Sequence, residues 1–233
     1  MFTRPHHQRI AKVLESLDAD LLKQHNCLFA GGTAIALGYG EYRESVDIDF
    51  LVSDLASYRY LRTSVREQGF QALMRHTTSD IRSDQYGIRT KVFVDGKPIK
   101  FEIVLEARIV LANPGKKDSI AGVATLTRLD MAASKLLANS DRGLDMSMHC
   151  RDIIDLAMLN LSKSEFAEAA IKGEAAYGEA ILKDLAKVID RLGEANGLLE
   201  RCMKTMDVSV PRALLWQNIS KVKSYIANGI PNG

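Results

Sequence analysis

Two aspartates separated by one residue are the residues in this sequence most suited to chemistry. Asp47 and Asp49 lie in the alternating segment 46–52, and this alternation predicts a β-strand. Side chains alternate faces along a strand, so both carboxylates are expected on one face and Ile48 and Phe50 on the other. Neighbouring negative charges are costly unless a cation or proton compensates them. Oxygen donors favour Mg²⁺ (or Mn²⁺), which often accompanies phosphate substrates, although a solvated strand end is the alternative.

A glycine pair precedes the aspartates. Gly31 and Gly32 end the apolar run 27–30, which is predicted to be a buried strand, and Thr33 is predicted to be the N-cap of the next helix. Glycines allow the backbone to approach a ligand closely, and the free N–H groups of a helix N-terminus attract anions. The pattern therefore indicates either a phosphate-binding turn or a simple strand–turn–helix junction.

A third carboxylate is predicted on a hairpin. The runs 91–94 and 99–104 flank Asp95-Gly96, a dipeptide typical of a tight two-residue turn. Glu102 lies in the second run, and three carboxylates converge if that strand lies beside the aspartate strand. Glu106 is the alternative third carboxylate.

Four motifs follow one another along the chain. They are Gly31-Gly32-Thr33-Ala34-Ile35-Ala36-Leu37, Arg43-Glu44-Ser45-Val46-Asp47-Ile48-Asp49-Phe50, Phe101-Glu102-Ile103, and the series Ser134-Lys135-Leu136, Asp141-Arg142-Gly143 and Arg151-Asp152-Ile153-Ile154-Asp155-Leu156. Their order resembles the nucleotidyltransferase superfamily (the DNA polymerase β-like fold), and within it the AbiEii type of toxin nucleotidyltransferase. The resemblance runs from Phe29 to Leu161, more than half of the chain. Glu102 departs from the Asp that many relatives have there.

The resemblance implies a two-metal site, with Mg²⁺ ions about 4 Å apart. Asp47 and Asp49 would be metal ligands, with Asp49 bridging. Glu102 would bind the ion nearest the acceptor hydroxyl and help remove its proton. In a site of this kind catalysis is mostly positioning and charge neutralisation.

The nucleotide-binding residues implied by the resemblance lie in both halves of the chain. They are Gly31, Gly32, Thr33, Arg43, Ser45 and Lys135. Lys135 would contact the triphosphate, although a Lys on an apolar helix usually extends its amine into water. Asp152 is preferred to Asp155 as the functional carboxylate of the last motif. The alternative is that both aspartates are structural and form ion pairs with Arg142 or Arg151.

The expected reaction is the transfer of NMP from an NTP, perhaps CTP, to a hydroxyl acceptor. By resemblance the acceptor is the 3′ end of tRNA and the partner is a separate cognate antitoxin. An adenylyltransferase that modifies a small hydroxylated molecule such as an aminoglycoside is the main alternative. A non-catalytic, antitoxin-like nucleotide-binding module is the third.

The elements around these residues predict an α+β chain. A nucleotidyltransferase domain with a mixed β-sheet and flanking helices is expected over residues 1–115, and an all-α region over 116–233. The boundary is placed in the polar loop 113–118. One amphipathic helix is predicted from Ile10 to Leu21, and only helices after Leu126. The helices after residue 164 are expected to pack and to help select the acceptor.

Composition sets outer limits on function. The 233 residues include 31 Lys and Arg against 29 Asp and Glu, so net charge does not indicate a nucleic-acid binder. No segment is apolar enough to span a membrane, and no signal-peptide pattern is present. Three widely spaced cysteines favour a cytoplasmic location without disulfides. The five histidines, interpreted as surface or core residues, are His6, His7, His25, His76 and His149.

Overall fold

The computed structural model describes residues 2–74, 78–145 and 150–227, so His76 and His149 lie outside the described residues. The chain divides into two compact units, Met1–Thr127 and Arg128–Gly233. The boundary predicted from the sequence lies earlier, between residues 115 and 116. The segment after Gly115 includes a short hairpin, and Leu126 N donates to Phe29 O within the first unit.

A five-stranded mixed sheet forms the centre of the first unit. Its strands are β1 (Leu28–Ala30), β2 (Ile48–Val52), β3 (Ser79–Ser83), β4 (Gly87–Val94) and β5 (Lys97–Leu105). Their order in the sheet is β1-β2-β5-β4-β3. β2 and β5 are parallel, and the other neighbouring pairs are antiparallel.

Helices and a separate two-stranded hairpin also belong to this unit. The helices are α1 (Pro5–Glu15), α2 (Ala19–Gln24), α3 (Gly31–Gly38) and α4 (Leu55–Gln68), with a 3₁₀ turn at Phe70–Ala72; the hairpin is β6 (Ser119–Ile120) and β7 (Val123–Ala124). Buried aromatic rings meet in the core, where Phe50 contacts Phe29 and Phe101, and Phe70 meets Phe101 edge-on. This apolar face fixes the sheet against its helices.

The predicted opening helix is two helices, so that prediction was wrong in its extent. The chain leaves α1 at Ser16, and Asp18 N donates to Leu73 O. Asp18 then caps α2 by accepting a 2.9 Å hydrogen bond from Leu21 N. An Asp cap satisfies a free helix N–H and so favours a new start over a continuous helix.

The hairpin predicted at Asp95-Gly96 is confirmed. Both residues have positive φ, at 50° and 72°, as a type I′ turn requires. Val94 is paired with Lys97 across the turn. This two-residue turn fixes the register of β4 against β5 over their whole length.

The second unit is helical throughout its described residues, as predicted after Leu126. Its helices are α5 (Arg128–Arg142), α6 (Arg151–Met158), α7 (Lys163–Tyr177), α8 (Ala180–Glu194), α9 (Leu198–Thr205) and α10 (Arg212–Ala227). α5 packs on α6, α7 and α8. With the mixed sheet of the first unit, this confirms the α+β class.

Two further findings concern the described residues alone. None of their helices combines the length and the apolar character that crossing a membrane requires. Cys27, Cys150 and Cys202 are buried, free thiols.

Candidate active site

Asp49 lies at the start of β2 and faces the turn that opens α3. Its Cα is in register with Ala30, the last residue of β1. Gly31 follows with φ of +73°, and a Cβ placed on it would lie 2.6 Å from Asp49 Oδ2. Any larger residue would collide with this carboxylate, so the glycine brings the start of the helix directly against it.

The helix starts three residues earlier than predicted. α3 begins at Gly31 with Ala30 as its N-cap, so the prediction of Thr33 as the N-cap was wrong. The positive φ of Gly31 lets the chain turn from strand into helix without a side-chain cap. Thr33 is buried inside the first turn of the helix, and its hydroxyl bonds elsewhere.

Asp47 lies just before β2 rather than in it, so the predicted strand is shorter than expected. The backbone here is held by side chains. Thr33 Oγ1 donates to Asp47 O at 2.5 Å, and the hydroxyls of Thr33 and Ser45 are 2.7 Å apart. Thr33 has one hydroxyl hydrogen and gives it to Asp47, so Ser45 must be the donor in the second bond. Both predicted phosphate-binding hydroxyls therefore fix the approach to Asp47.

Arg43, one of the predicted nucleotide-binding residues, is buried. Its side chain is 5% exposed, and NH1 donates to Glu44 O at 2.8 Å. A buried guanidinium needs hydrogen-bond acceptors, so Arg43 supports the loop that leads to Asp47.

Glu102 stands opposite Asp49 on the neighbouring parallel strand. The two Cα positions are register partners, so both side chains lie on one face of the sheet. This is the strand adjacency that the convergence of carboxylates requires. Glu102 forms ion pairs with Arg89 Nε at 3.2 Å and Lys100 Nζ at 2.9 Å.

The two cations beside Glu102 were missed by the sequence analysis. Burial lowers the pKa of the Lys100 amine, but the hydrogen bond with Glu102 and the charges of Glu102, Asp47 and Asp49 raise it overall. Lys100 thus lies within electrostatic reach of all three carboxylates. The sequence contained a signal for the Arg89 contact. Counting residue pairs along the hairpin away from the Asp95-Gly96 turn places Arg89 opposite Glu102.

Glu106, the alternative third carboxylate, forms an ion pair with Arg108. It is 4% exposed, and its Oε1 accepts hydrogen bonds from the backbone N and the Nε of Arg108 at 2.9 Å each. Its Oε2 lies 2.6 Å from Arg108 NH2. It follows the end of β5, about 13 Å along the strand from Glu102 at roughly 3.3 Å per residue.

The donors of this face suit a hard divalent cation, but they are not assembled around one point. Among the described residues, no three His, Cys, Asp or Glu side chains form a ready metal centre. Asp47 and Asp49 supply oxygen donors of the type that Mg²⁺ and Mn²⁺ prefer. Glu102 has both oxygens in ion pairs, so it could bind a metal only by releasing Arg89 or Lys100.

The predicted residues of the second unit form a buried ionic cluster. Lys135 Nζ lies 2.9 Å from Asp152 Oδ1 and 2.7 Å from Asp155 Oδ2. Arg142 Nε donates to Asp152 Oδ2 at 2.8 Å. Lys135 therefore does not extend into water, and two cations balance two carboxylates. Burial raises the pKa of Asp152, but Lys135 and Arg142 bring it far below its ordinary value.

Comparisons with known proteins agree with the motifs. The sequence profile of a family described as nucleotidyl transferase AbiEii toxin, of a type IV toxin–antitoxin system, matches residues 12–212. The search of curated proteins found no match. JHP933 from Helicobacter pylori, a solved structure, is 18% identical with a TM-score of 0.53, and the alignment covers 98% of this chain and 96% of that one.

A second Helicobacter pylori structure, provisionally described as a nucleotidyltransferase, is 19% identical with a TM-score of 0.51, and the alignment covers 95% of both chains. At this identity the two structures establish the fold alone. The family profile spans most of the chain and confirms the resemblance drawn from the motifs. The chain therefore belongs to the AbiEii nucleotidyltransferase toxin family.

Proposed function

We propose that this protein transfers a nucleoside monophosphate from an NTP, such as CTP, to a hydroxyl of an RNA, with the 3′ end of tRNA as the acceptor. The family implies an NTP substrate and a cognate antitoxin. The observation that carries the proposal is the register of Asp49 with Glu102, with Gly31 turned against the Asp49 carboxylate.

The residues on this face suit each part of that reaction. The hydroxyl oxygen attacks the α-phosphorus, the bond from that phosphorus to pyrophosphate breaks, and the hydroxyl proton is lost. Asp47 and Asp49 would hold Mg²⁺ or Mn²⁺, which would neutralise charge on the attacking and leaving oxygens. Glu102, beside Asp49, would accept the proton. The backbone N–H groups of Gly32 and Thr33 at the start of α3 would bind the triphosphate.

The remaining predicted residues have supporting roles in this proposal. Ser45 and Arg43 would hold the loop that precedes Asp47 in position beside the phosphates of the NTP. In the second unit, Lys135 and Asp152 are proposed nucleotide-binding residues, with Asp152 orienting the Lys135 amine. A buried amine held between carboxylates keeps a fixed position and a positive charge, both of which suit a phosphate contact.

A strip of cations on the same sheet face supports an RNA acceptor. Glu102 on β5 is in register with Arg89 on β4, which is in register with Arg82 on β3. Lys100 on β5 is likewise in register with Lys91 on β4. We call Arg82, Arg89, Lys91 and Lys100 the basic strip. Ile88, Thr90 and Val92 between them on β4 are buried, so the strip lies on the outer face. Such a surface attracts a phosphate backbone and repels a cationic aminoglycoside.

The experiment offers the purified protein two acceptors. Total tRNA and a mixture of aminoglycosides are each incubated with Mg²⁺ and every α-labelled NTP in turn. We expect label on tRNA from one NTP and no label on the small molecules. Label on an aminoglycoside alone would support the adenylyltransferase alternative. NTP binding without transfer to any acceptor would support a non-catalytic module.

A further inference from the structure

Two adjacent histidines in α1 bond to consecutive residues of the loop before Asp47. His6 Nε2 lies 2.9 Å from Val46 O, and Arg9 NH2 lies 3.2 Å from His6 Nδ1. A carbonyl can only accept and a guanidinium can only donate. In these two contacts His6 Nε2 therefore donates to Val46 O and His6 Nδ1 accepts from Arg9.

His7 makes the opposite kind of contact. Its side chain is fully buried, and the backbone N–H of Ser45 donates to His7 Nε2 at 3.1 Å. Nε2 must therefore carry no proton, and the ring proton lies on Nδ1, 2.9 Å from Glu41 Oε1. Burial lowers the pKa of His7 more than Glu41 raises it, so the neutral ring is favoured.

Glu41 fixes this arrangement at its far end. Its carboxylate also accepts hydrogen bonds from the backbone N–H groups of Thr3 and Arg4, at 2.7 and 3.1 Å. Glu41 itself has a positive φ of 52°, a strained conformation that such contacts hold in place. The pKa of Glu41 is about 2: burial opposes the shift, but hydrogen bonds from Thr3, Arg4 and His7 outweigh it.

We propose that His6 and His7 are positioning residues for nucleotidyl transfer, which set the loop carrying Ser45 and Asp47 through two hydrogen bonds of opposite polarity. From Ser45 the contacts continue to Thr33 and then to Asp47 O. Both histidines precede the segment matched by the family profile. The inference rests on the proposed function for its effect on catalysis, but the loop contacts stand independently of it.

Protonation of His7 would break this arrangement. A proton on Nε2 would face the Ser45 N–H, so two donors would oppose each other. The charged groups that face His7 are Glu41, which favours the proton, and Arg4 and His6, which oppose it. Because the pKa of His7 is lowered from the ordinary histidine value of about 6.5, the wild-type transfer rate is expected to fall only at a pH below that value.

Two substitutions of His7 separate its two contacts. In His7→Asn the amide nitrogen can replace Nδ1 and keep the bond to Glu41, but nothing reaches Ser45. In His7→Gln the amide oxygen can replace Nε2 and keep the Ser45 bond, but the Glu41 donor is lost. A displaced catalytic carboxylate can cost about 100-fold in rate. We expect kcat to fall by about that factor in His7→Asn and by only a few-fold in His7→Gln.

Hydrogen exchange confined to one loop and the shape of the pH profile are readouts that a general loss of stability would not reproduce. We expect amides over 41–47 to exchange about five- to tenfold faster in His7→Asn, the loss of one hydrogen bond, and at the wild-type rate in His7→Gln. The acid limb of the rate should disappear in His7→Gln. His25→Asn, at a ring stacked on Tyr60, is the control and should change nothing.

The outcomes distinguish the two proposals. If the wild type transfers no nucleotide but the exchange pattern holds, the proposed function fails and the loop contacts stand. Equal transfer rates and equal exchange in His7→Asn and His7→Gln would overturn the inference. If the rate of His7→Gln still falls at low pH, another group causes that fall. This result would also contradict the proposed positioning role of His7.

Discussion

Gly31 lies so close to Asp49 that a Cβ on the glycine would come within 2.6 Å of the Asp49 carboxylate oxygen. We predict that Gly31→Ala lowers nucleotidyl transfer by at least about 100-fold, because the added methyl must displace Asp49. Its positive φ would also cost about 1–2 kcal/mol in the free energy of unfolding. Transfer rate and thermal unfolding of the variant measure the two effects.

Gly122→Ala is the matched control for this substitution. Gly122 has φ of +87°, but a Cβ there would meet nothing within 4 Å. It should therefore show the backbone cost without the loss of transfer. Equal losses of transfer in the two variants would mean that the proximity of Gly31 to Asp49 has no role in catalysis.

If the carboxylate face binds a metal ion as proposed, Lys100 competes with that ion for Glu102. Lys100→Met removes the cation that pairs with Glu102, so we predict about fivefold tighter binding of Mn²⁺, the effect of one nearby charge in a solvated setting. Titration followed by electron paramagnetic resonance measures this affinity directly. Lys97 lies on the opposite face of β5 by strand alternation, so Lys97→Met should leave the affinity for Mn²⁺ unchanged. Weaker Mn²⁺ binding in Lys100→Met would argue against metal binding by these carboxylates.

The basic strip is expected to contact the phosphate backbone of the acceptor. Lys91→Glu should raise KM for RNA several-fold and leave KM for the NTP near its wild-type value. It should also reduce the slope of log affinity against log salt by about 0.7 for a single-stranded acceptor, the loss of one phosphate contact. Lys97→Glu is the control, because it makes the same change of charge at a residue outside the basic strip. If both variants weaken RNA binding equally, the strip is not the RNA-binding surface.

The cluster of Lys135, Asp152 and Arg142 is predicted to stabilise the second unit. Asp152→Asn leaves the buried Lys135 amine short of a partner and should lower the free energy of unfolding by about 3 kcal/mol at pH 7. Glu179→Gln removes a fully exposed pair with Lys183 and should leave the denaturation midpoint unchanged. Chemical denaturation of the full chain provides the measurement.

The same cluster gives a pH dependence with a defined sign. The pKa of Asp152 is lowered in the folded protein, so its stabilisation is complete above the unfolded-state value of about 3.9 and is lost as the pH falls further. The stability gap between the wild type and Asp152→Asn should therefore be constant from pH 7 to pH 5 and narrow below pH 4. A gap that stays constant to pH 3 would contradict the assignment.

Local patterns predicted most of the elements that carry the site. The turn at Asp95-Gly96 specifies β4 and β5 and their register, because two positive φ values leave few other connections. The alternation around Asp49 predicts β2. The pairing of Arg89 with Glu102 could have been counted from the turn.

Contacts between distant residues account for what the sequence did not predict. Asp47 lies outside β2 because Thr33 holds its carbonyl, and Ser45 is bonded to a histidine 38 residues away. Neither effect leaves a periodic pattern. The burial of Arg43 has the same origin, since exposure depends on the packing of the whole unit and not on neighbouring residues.

The most direct test of the account is the rate of pyrophosphate release with Mg²⁺, NTP and tRNA in three variants of matched size. We predict that Asp49→Asn and Glu102→Gln lose at least about 1000-fold, because in the proposed reaction each of these carboxylates acts on the reacting groups. Glu106→Gln should stay within about tenfold of the wild type, since its carboxylate is held by Arg108. Wild-type release by Asp49→Asn would contradict the central claim that this sheet face performs the transfer.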